Sequence, residues 1–121
     1  MKKSFIALLL LAISSTLMAA EYSKLDIKRA EFFANEAQKE FNLSKKATQQ
    51  FQQLKLENIV AYRKQVASLK KAGKEDEAKA AAKALNKDYL PQCTEVLGCS
   101  NKEFWAFTNK TTPGMWKIKA K

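Results

Sequence analysis

From Ser44 to Gly73 the chain reads SKKATQQFQQLKLENIVAYRKQVASLKKAG, and this stretch decides the fold. Phe51, Leu54, Tyr62, Val66 and Leu69 recur at helical spacing, with Asn58 polar in the middle of the line, so the segment is one long amphipathic helix ending near Ala72. Ser44 stands where an N-cap hydroxyl would take an orphan amide, and Gly73 supplies the left-handed residue that ends a helix. Lys70, Lys71 and Lys74 suit its negative pole. Leu56, Ile59 and Val60 widen the apolar face, which predicts that this helix touches two neighbours.

Working outward, Ile27, Ala30, Ala34, Ala37 and Phe41 form one face of a preceding helix, broadened by Phe32 and Phe33 and opened by Ser23 with Asp26. On the other side, Glu75, Asp76 and Glu77 start an alanine-rich helix with the apolar line Ala78, Ala81, Ala82, Leu85 and Tyr89. Pro91 is expected to stop it. The short connection at Gly73 makes these two helices an antiparallel hairpin. Ser100 with Glu103 is a capping box for a short fourth helix containing Phe104, Trp105 and Phe107. Pro113 and Gly114 read as a turn, followed by a basic tail in which Trp116 docks on the core. The expected fold is all-α: a small hairpin or bundle of three main helices, plus a short C-terminal helix after a disulfide loop. The boundaries are 1–20 for a signal peptide, 21–112 for the helical domain and 113–121 for the tail.

The signal peptide is read from Lys2 and Lys3, the apolar run from Phe5 to Ile13, and small residues leading to a cleavage site near Ala20. Its removal would place the protein in the periplasm or outside the cell. Two cysteines in such a chain usually form a bridge, and Gly98 would let Cys93 and Cys99 meet. A ring that small is worth about 2 to 2.5 kcal/mol, a local staple. The spacing is not the C-x-x-C that lowers a thiol pKa, which argues against redox chemistry.

The full chain has 22 basic and 12 acidic residues and a net charge of +10; without Lys2 and Lys3 the net is +8. Such a charge favours anionic partners. Arg29 and Arg63 are the only arginines among the mature positives, whereas base and phosphate readers rely on arginine, so nucleic acid is disfavoured. The remaining partners are acidic or unfolded envelope proteins and anionic membrane surfaces. No histidine and no Gly-rich phosphate loop occur. Glu36 with Glu40, and the Glu75 cluster, read as a solvated face and a helix start. The chain is therefore expected to be a binding protein rather than an enzyme, with no metal and no cofactor.

The candidate partner-binding residues are Lys45, Lys46, Lys55, Arg63, Lys64, Lys70 and Lys71 on the long helix, joined by Trp105 and Trp116. Long lysine stems can cover apolar surface while their charges steer encounter. The bland alternative is a solvated face. The rival function is that of a dedicated inhibitor or immunity-type protein shielding one acidic enzyme or toxin through the Cys93 to Cys99 loop and Trp105.

The run Phe41-Asn42-Leu43-Ser44-Lys45-Lys46-Ala47, followed by Gln49, Gln50, Phe51 and Leu54, resembles the LTxxQ-type helix opening of the Spy/CpxP-like periplasmic proteins. A weaker copy spans Leu97 to Phe104. Ser44 and Ser100 replace threonine, and Ala47 and Glu103 replace glutamine. The resemblance implies a small dimeric helical cradle with a basic concave face for unfolded or acidic envelope proteins, in which Ser44 and Ser100 are helix N-caps.

Overall fold

A computed structural model describes residues 22–119. The signal peptide and its exit at Ala20, and the last two residues of the tail, lie outside the described residues. Helix α1 (Lys24–Phe41) opens on Ser23, whose Oγ accepts the Asp26 amide at 3.0 Å while Asp26 Oδ2 accepts the Ser23 amide at 3.2 Å. It closes on Asn42, held left-handed at φ 53°. Helix α2 (Lys45–Tyr62) opens on Ser44, whose Oγ accepts the Ala47 amide at 3.1 Å. It continues through a π-helical turn (Arg63–Ala67) and a last α turn (Ser68–Lys71). At Gly73 (φ 78°) the amides of Gly73 and Lys74 donate to Lys70 and Leu69 carbonyls, a Schellman end that reverses the chain.

Helix α3 (Glu75–Leu97) begins with three acids at its positive pole and ends on Gly98 (φ 66°). Helix α4 (Asn101–Trp116) opens with the Ser100 and Glu103 capping box. The connections between helices are short, so consecutive helices run antiparallel. Helix α1 packs on α2 and α4, and α2 on α3.

The core follows from the inward stripes. Ala30, Ala34 and Ala37 let α1 approach closely, and Phe33 fills the centre with Phe51 and Phe107 around it. Phe107 meets Phe33 and Phe41 edge-on at 5.4 Å, and Phe104 meets Tyr89 at 5.9 Å. Such geometry adds about 0.5 to 1.5 kcal/mol per pair beyond area burial. The stripe of α1 is centred one residue from the line expected, on Asp26, Ala30, Phe33 and Ala37, which leaves Ile27 42% exposed. Asp26 is buried where α1 begins and pairs with Arg63 at the end of α2. Beyond that pair α2 packs chiefly on α3, joined at Val66 and Ala78, so residues 64–85 form a two-helix arm.

The all-α class and the α2–α3 hairpin agree with the sequence reading; three details do not. No bridge joins Cys93 and Cys99, and both are free thiols. Pro91 does not stop α3, which carries Cys93 on its buried face as far as Leu97. The intended loop is therefore mostly helix, and rigid backbone replaces the slack a ring would need, since a bridge requires Cα atoms within about 7 Å. Similarly, α4 runs through Pro113 and Gly114 to Trp116, so it is a full member of the bundle and the tail begins at Lys117. Each proline deprives one carbonyl of its amide, that of Lys87 or Asn109, and both residues are exposed to solvent. Beside them Gln92 Nε2 donates to the Asp88 carbonyl at 2.9 Å and Thr112 Oγ1 to that of Thr108 at 2.7 Å.

Candidate binding site

The predicted partner-binding residues fall into two groups rather than one surface. Lys45 and Lys46 are exposed where α2 begins, a helix length of about 27 Å from Arg63 at its end. Trp105, half-buried against Phe104 at 5.1 Å, lies near the start of α4. Arg63 pairs with Asp26, and Lys64, Lys70 and Lys71 are exposed on the arm. Lys70 Nζ donates to Tyr62 Oη at 3.1 Å, which holds its pKa above the ordinary lysine value. Trp116 is 54% exposed, with the Arg29 guanidinium 4.7 Å above its ring and Arg29 Nη2 donating to the Ile118 carbonyl at 3.3 Å. Ser44 and Ser100 have their hydroxyls committed to helix amides, as N-caps do.

Lys55 departs from expectation. It is only 6% exposed, on the inward face of α2 between Phe51 and Ile59, rather than on a surface that a partner protein reaches. Its Nζ lies 4.0 Å from the Phe33 ring centre and 5.9 Å from that of Tyr89. No carboxylate of the described residues is within ion-pair distance of it. Burial pushes its pKa down to about 8, opposed in part by Cys93.

Cys93 is pushed up to about 12 by the same burial, against the pull of Tyr89 and Lys55. Burial, and then the Cys93 thiol, raise Tyr89 well above the ordinary tyrosine value. Its hydroxyl makes no well-formed hydrogen bond and has the weakly accepting sulfur beside it. An amine, a thiol and a phenol thus share an interior otherwise made of phenyl rings and aliphatic side chains. The sequence signal for Lys55 is its spacing: residues 51, 55 and 59 form a regular i, i+4 line, whereas the line through Phe51, Leu54, Asn58 and Tyr62 passes beside it.

Above Lys55 a cavity of about 280 Å³ opens between α2 and α4. Ile59 and Met115 supply apolar wall, Asn58 and Thr112 polar wall, and Tyr62 and Trp116 aromatic surface. Tyr62 and Trp116 are the exposed members, so they stand at the rim. A cavity of about 330 Å³ between α1 and α4 differs in kind, because it is edged by charges that already pair, Lys110 with Glu40 at 2.7 Å and Lys39 with Glu36 at 3.3 Å. Among the described residues no acidic, cysteine or histidine cluster could hold a metal ion, and no helix is long and apolar enough to cross a membrane. No protein-family model, curated protein or solved structure matches the chain.

Proposed function

We propose that this chain is an exported, basic helical binding protein of the bacterial envelope, chaperone-like in action, that holds acidic or partly unfolded proteins. The observation that carries the reading is the α2–α3 arm. Residues 64–85 include six lysines against three acidic residues, and these charged side chains are exposed on two helices whose small seam is Val66 and Ala78. A basic projection of this kind accelerates encounter with acidic partners, and lysine stems then cover apolar surface on the partner. The apolar face of α2 itself packs inside the bundle, so the grip belongs to the arm rather than to a groove along the helix. The helix openings at Ser44 and Ser100, which resemble those of the Spy/CpxP-like proteins, support the same class of function.

Light scattering of an aggregating acidic client tests the reading. Suppression is expected in low salt, weakening as salt screens the arm and lost in Lys70→Glu, Lys71→Glu. No suppression at any stoichiometry in low salt would overturn it. Capture of a single stoichiometric partner from envelope extract, in place of many weak clients, would favour the dedicated inhibitor.

A further inference from the structure

We propose that the cavity between α2 and α4 binds a small amphiphilic monocarboxylate of the fatty-acid type, its carboxylate seated at Lys55 and its hydrocarbon chain running past Ile59 and Met115 toward Trp116. The geometry rests on four observations. A buried ammonium is costly unless an anion meets it, and among the described residues this one meets the Phe33 and Tyr89 rings and lies near the protonated Cys93 thiol, with no carboxylate in ion-pair distance. The wall beside it is mainly apolar, which suits a hydrocarbon and disfavours phosphate or sugar. The Asn58 side chain makes no hydrogen bond among the described residues and lines the same cavity, where it adds a polar group to the wall near Lys55. Two exposed aromatics, Tyr62 and Trp116, frame the opening, where they would cover the outer end of a chain.

Burial selects between sources of the carboxylate. Lys55 is covered to all but 6%, so a thin ligand reaches it and the acidic side chain of a folded partner does not. The cavity is near the lower end of small-molecule sites, about 300 Å³, which fits a medium chain rather than a long one. The proposal stands apart from the arm: client binding can fail while the cavity binds, and the reverse.

Calorimetric titration of the purified protein with sodium decanoate below its micelle concentration is the test, with decanol as the neutral partner of equal length. Decanoate is expected to bind one to one, at least tenfold tighter than decanol. Lys55→Met, which keeps an unbranched side chain one atom shorter and removes the charge, is expected to lower decanoate affinity at least tenfold and to leave decanol unchanged. Met115→Trp, which fills the cavity, is expected to abolish both and keeps the test decisive should the first variant misfold. Equal binding of decanoate and decanol, undiminished decanoate binding by either variant, or no binding of decanoate would each overturn the proposal.

Discussion

Replacing Lys55 by methionine should make the protein more stable. With its pKa at about 8 in place of 10.5, the charged amine costs the folded state about 3 kcal/mol at pH 7, at 1.36 kcal/mol per pH unit. The ring of Phe33 at 4.0 Å returns about 1 kcal/mol of that. Methionine fills nearly the same volume without the charge, so Lys55→Met should gain about 2 kcal/mol at neutral pH. The pH profile carries a sharper signature. Between about pH 8 and 9 folded Lys55 releases its proton while the unfolded chain keeps it, so the unfolded state binds more protons and stability rises with pH.

From about pH 9 the unfolded chain loses the Cys93 proton, which the folded state holds to about 12, and this slope has the opposite sign. Cys99 and Tyr89, both raised in the folded state, act in the same direction as Cys93. The wild type should therefore gain up to about 1.4 kcal/mol from pH 8 to 9, level off, and fall above about 10.5. The methionine variant should show no rise and decline from about pH 9. Urea denaturation followed by circular dichroism from pH 7 to 11 measures both curves, and their difference removes contributions common to the two proteins. A variant less stable than wild type at pH 7, or one that keeps the rise between pH 8 and 9, would refute this account of Lys55.

Other perturbations probe the remaining features. In a thiol-reagent titration Cys99 should react in the native state and Cys93 only on unfolding, because burial keeps the latter protonated; a Cys93 to Cys99 bridge found by mass spectrometry of folded protein would contradict the fold near Pro91. Burial alone would raise the pKa of Asp26, but the hydrogen bonds from Arg63 and Ser23 and the Arg63 charge outweigh it and leave the value lowered. Its contribution is thus present above about pH 3.8 and lost as pH falls through the folded value. Asp26→Asn should cost about 1 to 2 kcal/mol at pH 7, modest because Arg63 is half-exposed, and the gap from wild type should close in acid denaturation. A Cβ at Gly114 would come 2.9 Å from Phe32 Cζ, the outer end of a ring that can move. Gly114→Ala should be nearly neutral in thermal melts, since helix propensity returns about 1 kcal/mol, whereas Gly114→Leu should cost about 1 to 3 kcal/mol.

What was legible in the sequence is what a few neighbouring residues settle among themselves. The serine caps at residues 23, 44 and 100 each need an amide three residues on, and the Gly73 reversal needs one left-handed residue. The all-α class, the α2–α3 hairpin and the contact of α2 with two neighbours follow from those caps and a 3.6-residue period. The candidate site was legible only in fragments: Asn58, Tyr62 and Trp116 stood out, but nothing in one helix says that its face meets a residue more than fifty positions away.

Lys55 shows why. Its place on the inward line of α2 is apparent only when Phe33 and Tyr89 come at it from two other helices and surround it with aromatic surface. Pro91 and Pro113 make the same point in reverse. By themselves they end helices at a cost of about 3 kcal/mol each, yet burial of Cys93 and Leu97 beyond the first and Met115 beyond the second keeps both helices going. That continuation holds the two cysteines apart and carries α4 up to the cavity. The sequence by itself therefore determined the helices, their starts and the turn at Gly73, because local hydrogen bonds and periodicity act within a few residues. Tertiary packing alone decided which charge went inside, where two helices passed their prolines and what surrounds the cavity, because burial is a property of surfaces from distant segments brought together.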